Sequence, residues 1–188
     1  MRTSWLSRTE VGAISNTRRR VFLAPLLGAA LLFLLLPGCI STYNTKDPEH
    51  LAKTVTNILR KQDAAGLKHV IPSKEDLESF LATADMPEEE AKEMRSEMAE
   101  LLGDFEAANT RSYQQAIDAV SREGGLIRKL HISEIHSTKR ESLDNPMADI
   151  VVDLLLDDQP YTLTIPGAGK MPRGWVLGLD GFSLDKAK

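Results

Sequence analysis

The stretch that decides the fold is Asp149–Ile165, DIVVDLLLDDQPYTLTI. Ile150, Val152, Leu154 and Leu156 alternate with Asp149, Val151, Asp153 and Leu155. Tyr161, Leu163 and Ile165 then alternate with Thr162 and Thr164. A period of two places each apolar set on one face of a strand. Asp157-Asp158-Gln159-Pro160 between the runs supplies turn residues, so the two strands pair as an antiparallel hairpin.

Outward from this hairpin the pattern continues on both sides. Leu130 and Ile132 alternate with His131 and Ser133 and mark a strand before it. Beyond Pro166-Gly167, Trp175, Leu177 and Leu179 alternate with Val176 and Gly178, which predicts a fourth strand and a meander. Upstream of Gly124-Gly125 the period is 3.6 instead. Asp47-Pro48 reads as a cap with proline at the first helical position, and Leu51, Val55, Ile58 and Leu59 form the buried face of a helix ending at Gly66. Ser73 caps a second helix with Asp76 three residues on and Leu77, Phe80 and Leu81 inside. Asp85, Pro87 and Glu88–Glu90 open a third, with Met94, Met98, Leu101, Leu102 and Phe105 as its stripe. A fourth starts near Asn109 or Thr110 and carries Tyr113, Ala116, Ile117 and Val120. About four helices followed by about four antiparallel strands predict an α+β domain over 47–188, with the helices against one face of the sheet.

The 188-residue chain is 42% hydrophobic and 27% charged, a globular balance. Its net charge of -4 hides two unlike parts. Residues 1–38 hold five arginines against Glu10; taking these from 23 basic and 27 acidic residues leaves 18 and 26 downstream, a net of -8. So acidic a domain is unsuited to gripping nucleic acid.

The N-terminal segment has the form of an export signal. Arg18-Arg19-Arg20 precedes the apolar run VFLAPLLGAALLFLLL, residues 21–36, shorter than the roughly 20 residues of a membrane span. Leu36-Pro37-Gly38-Cys39 follows at once and resembles the lipobox of bacterial lipoproteins, in which an aliphatic residue and a small residue precede an obligatory cysteine. That resemblance implies cleavage between Gly38 and Cys39, a diacylglycerol thioether on Cys39, and acylation that holds the protein to a membrane. Cys39 is the sole cysteine, so no intramolecular disulfide can form. Residues 1–38 are thus expected to be a cleaved signal peptide and 39–46 the lipidated N-terminus with a short linker. Ile40 and Ser41 lack the aspartate that retains lipoproteins at an inner membrane, so in a Gram-negative host the address is the outer membrane, facing the periplasm. Arg19-Arg20-Val21-Phe22-Leu23 also resembles a twin-arginine signal, although the leucine-rich run suits the general secretory route better. Val11 offers an alternative start.

Helices ahead of a meander that closes on Gly174-Trp175-Val176-Leu177-Gly178-Leu179 resemble the cystatin-type α+β roll of the NTF2-like group, found in many small exported lipoproteins. The resemblance covers most of 47–184. It implies a cavity between helices and sheet, in which enzymes of the group use a carboxylate or histidine. On that reading Asp149 or Asp153 is the candidate general base of an enzyme.

The other candidate chemistry is sparse. His131 and His136 are five apart in a strand and are expected on opposite faces, so no metal centre is expected. Gly167-Ala168-Gly169-Lys170 lacks the remainder of a phosphate loop and reads as a hairpin loop. Ser183-x-x-Lys186 stands without the motifs that accompany it in acyl enzymes. No cofactor is expected. The favoured expectation is a non-enzymatic, lipid-anchored envelope protein that binds a partner protein or a small apolar ligand, with Met94, Met98, Trp175, Asp149 and Asp153 as candidate contacts.

Overall fold

The computed structural model describes residues 43–83, 86–140 and 146–187. Cys39 and the whole export signal lie outside these residues, as does Asp85. The domain is α+β, with three α-helices packed on an antiparallel sheet of five strands.

Helix α1 spans Pro48–Lys61. Asp47 accepts the His50 N–H at 2.8 Å, so the expected cap operates. Leu51, Val55, Ile58 and Leu59 are all buried. The helix ends earlier than Gly66: Gln62 turns left-handed at φ 53° and its N–H meets the Ile58 and Leu59 carbonyls. Gly66 lies instead in a 3-10 segment, Ala64–His69, where a Cβ would come within 2.9 Å of Asp63 Oδ2. Helix α2 spans Lys74–Thr83. Its capping box is reciprocal: Ser73 Oγ accepts the Asp76 N–H at 3.2 Å and Asp76 Oδ2 accepts the Ser73 N–H at 2.9 Å.

The expected third and fourth helices are one. Helix α3 runs from Glu88 to Arg122, 35 residues or roughly 52 Å at 1.5 Å per residue. Asn109 does not cap anything. It is fully buried, and its side-chain amide donates to the Phe105 carbonyl at 2.8 Å and to the Gly178 carbonyl at 3.2 Å. With its side-chain NH2 donating inside the helix and across to the segment after β4, nothing there breaks the backbone ladder. Gly103, the residue that weakens this helix, costs about 1 kcal/mol relative to alanine, too little to end it.

The strands are β1 (His131–Arg140), β2 (Met147–Leu156), β3 (Gln159–Met171), β4 (Gly174–Val176) and β5 (Ser183–Lys186). They lie in the order β1-β2-β3-β4, and β5 pairs with the first half of β3. The meander is therefore as read, with two differences. Leu177–Leu179 leaves the sheet, and Leu177 donates its N–H to the Val70 carbonyl at 2.7 Å. A fifth strand, β5, is too short and too polar to show a period, since Leu184 is its one buried residue. The β2–β3 turn is Asp157-Asp158, both left-handed at φ 47° and 63°, which is the two-residue turn whose twist matches that of its strands.

The sheet's inner face is the core. Ile150, Val152, Leu154, Leu163 and Ile165 are buried under α1, with Tyr113, Ala116 and Val120 of α3 joining them. A smaller core, Leu77, Leu81 and Met98, holds α2 to the N-terminal half of α3. The outer face of β2 along Asp149, Val151 and Asp153 is half-buried. Leu163→Ala should therefore cost about 2–5 kcal/mol, and Val151→Ala on the opposite face less than about 1 kcal/mol, as read from urea unfolding midpoints.

Candidate functional site

An apolar cleft opens where the far ends of β2, β3 and β4 meet the helices. Met147, Gly169, Met171 and Val176 face Phe80 of α2 and Phe105 of α3 across a volume of about 390 Å³. That lies in the range of small-molecule sites. Leu177–Asp180 completes the rim, and Asp180 is the charged residue among those lining it.

Glycines shape this end of the sheet. Gly167 has φ 58°, and Gly178 packs so closely on it that a Cβ there would lie 2.7 Å from the Gly167 carbonyl oxygen. The backbones touch with no side chain between them. Gly169 is the opposite case: no atom lies within 4 Å of where its Cβ would stand. Gly169 thus lines the cleft at a position where a side chain would have room. Gly167-Ala168-Gly169-Lys170 is not the expected hairpin loop. It belongs to β3, which continues to Met171 because Gly167 absorbs a register shift opposite Ala148 and Ile150.

The candidate ligand contacts are distributed otherwise than expected. Met98 is buried in the smaller core, and Met94, 36% exposed, lies beside it with Leu77, Leu81 and Leu101; these residues pack α2 on α3. Trp175 is buried in the main core and donates its backbone N–H to Thr45 at 2.6 Å; its neighbour Val176 reaches the cleft. Phe80, Met147, Met171 and Gly169 are not among the contacts expected from the sequence. The usable signal was the glycine spacing at 167, 169 and 178, flanked by methionines at 147 and 171.

Asp149 and Asp153 both project from the outer face, and neither lines the cleft. Asp149 accepts the Gly167 N–H at 3.0 Å and pairs with the Arg140 guanidinium. The Gly167 hydrogen bond holds its carboxyl below the usual range, with Arg140 adding to the effect against a smaller penalty from burial. Asp153 lies opposite Glu134 of β1, with His136 Nε2 at 3.4 Å.

His131 and His136 face the same side, contrary to the expectation from their spacing. A β-bulge between Ile132 and Glu134 shifts the register, so His131 pairs with Leu155 and His136 with Val151, both outer-face positions. Ser183 and Lys186 sit in β5, and Lys186 is paired with Glu123 at 2.8 Å.

The chain matches no family model, no curated protein and no solved structure.

The Asp149 carboxylate has a definite pH signature. A carboxyl with a lowered folded-state pKa adds stability above its unfolded value near 3.9 and loses it as pH falls through the folded value. Asp149→Asn should cost about 1 kcal/mol at pH 7. The gap to the parent chain should close as pH drops from about 5 to about 2, as urea midpoints of both proteins over that range would show.

Proposed function

We propose that this protein is a lipid-anchored lipoprotein of the cell envelope that binds a small apolar ligand beside the membrane, without catalysing a reaction. The observation that carries the proposal is the apolar cleft between α2, α3 and the ends of β3 and β4, with phenylalanine, methionine and glycine lining it. Such a lining rewards burial of hydrocarbon at about 25 cal/mol per Å² and offers few groups to orient a polar substrate. The two aspartates that would serve as general bases lie outside the cleft and are engaged by other groups.

Thr45 meets Trp175 on β4, next to the cleft residue Val176. Cys39 precedes Thr45 by six residues, a reach of about 20 Å when extended. A lipid on Cys39, in a sequence that resembles a lipobox, would therefore hold the domain to the bilayer without a long stalk. Among the described residues no helix is long and apolar enough to cross a membrane. With Ile40 and Ser41 after the cysteine, the outer membrane is the address in a Gram-negative host. The order of helices before a meander, with a cleft between the two, supports reading the domain as a cystatin-type roll of the NTF2-like group.

Each half of the proposal has its own test. In the native host, Cys39→Ser should abolish incorporation of labelled palmitate and move the protein from the membrane fraction to the soluble one. Membrane retention and labelling by the variant would sink the anchor. For the cleft, Gly169→Leu should place a side chain in the empty space without displacing a neighbour. It should weaken binding of a fluorescent fatty-acid probe at least tenfold and leave the melting temperature unchanged or higher. Equal binding by both proteins, or none by the parent chain, would remove the cleft from the account.

A further inference from the structure

We propose that Glu134, His136 and Asp153 form a binding site for a divalent first-row transition-metal ion of the zinc class, on the outer face of the sheet and separate from the apolar cleft. The site exists because of the β1 bulge. Ile132 pairs with Leu154, but Glu134 pairs with Asp153, leaving Ser133 as the extra residue. Had the strand continued in register, Glu134 and His136 would lie opposite Val152 and Ile150, whose side chains are in the core. One inserted residue turns both outward, onto the face of Asp153.

The outcome places two carboxylates directly opposite one another on neighbouring strands, an unfavourable pairing without a cation. Arg140, further along the same face, is paired with Asp149 instead. The group between the carboxylates is the imidazole: His136 Nε2 stands 3.5 Å from Glu134 Oε2 and 3.4 Å from Asp153 Oδ2. Both separations exceed the 2.7–3.2 Å of a nitrogen–oxygen hydrogen bond. The observed separations match the edge of a coordination tetrahedron, since ligand bonds of about 2.0–2.2 Å set neighbouring donors about 3.4 Å apart. The three donor atoms lie within 4.8 Å of one another, close enough for one ion to reach all three after small side-chain rotations.

The donor set defines the ion. One imidazole nitrogen and two carboxylate oxygens suit zinc, cobalt, iron(II) or manganese, whereas magnesium and calcium favour oxygen ligands throughout. All three side chains are about half exposed, so the remaining coordination positions are open to water or to a donor from another molecule.

Calorimetric titration of the purified full chain with zinc tests this. One ion should bind per chain. His136→Ala should lower the affinity at least tenfold, and the Glu134→Gln, Asp153→Asn double variant should do the same. His131→Ala, which removes the other histidine of this face, should change affinity less than twofold. Unchanged melting temperatures of the metal-free variants would show that a ligand and not the fold was lost; if His136→Ala melts lower, the double variant decides. Failure of the parent chain to bind zinc, parental affinity in His136→Ala and in the double variant, or loss in His131→Ala equal to that in His136→Ala would each overturn the site.

Discussion

The register between β2 and β3 is the constraint on which the rest of the domain depends. Ile150 opposite Ile165, Val152 opposite Leu163 and Leu154 opposite Tyr161 put six apolar side chains on one face, toward α1 and α3. Because side chains alternate strictly, a slip of one residue would send the whole set of one strand to the opposite face. The two-residue turn at Asp157-Asp158 fixes the count. Both aspartates accept a left-handed backbone there, a conformation that costs a non-glycine residue roughly 1–2 kcal/mol. The cost is tolerated because longer or untwisted turns would splay the pair. Lys129, on the approach to β1, grips Asp157 at 2.7 Å from outside.

Given that register, the features with chemical potential arise where it is deliberately interrupted. On one side of β2, the bulge in β1 turns Glu134 and His136 outward beside Asp153. On the other, the shift in β3 at Gly167 carries the strand past its expected end and brings Gly169 and Met171 beneath Phe80 and Phe105. In both places an extra residue re-aims the following side chains. Asp149 joins the two: its carboxylate takes the Gly167 N–H from one neighbour and the Arg140 guanidinium from the other. A strand irregularity leaves backbone groups unpaired, and here an acidic side chain of the central strand satisfies one of them.

These interruptions also mark where the sequence stopped being legible. Periodicity is a property of regular elements, so the buried faces of α1, α2, β2 and β3 could be read directly. The merger of two expected helices into α3 could not, because Asn109 is a capping residue by composition and owes its place to Gly178, 69 residues away. The same holds for His131 and His136. Counting five residues along a strand places them on opposite faces, and a bulge at Ser133 reverses the answer without any glycine or proline to announce it. The cleft was obscured differently. Its methionines and phenylalanines come from separate elements, while Met94 and Met98, candidate contacts by composition, are consumed in packing α2 on α3.

The long α3 explains why a small sheet has a cleft at all. Only its C-terminal half, through Tyr113, Ala116 and Val120, belongs to the main core. The other half extends beyond that contact and must be covered by something else, and α2 supplies the cover by packing Leu77 and Leu81 on Met98 of α3. Two cores built on one helix leave a seam between them. Side chains of the strand ends could have filled it, yet Gly167, Gly169 and Gly178 stand there. Gly178 has no room for a side chain, but Gly169 has room to spare. Stability alone would favour filling that space, since a larger residue would bury apolar surface and lose the backbone entropy cost of glycine. An unfilled position in a wall that is otherwise phenylalanine and methionine is therefore a feature that folding does not require, which is the physical reason to look for a ligand there.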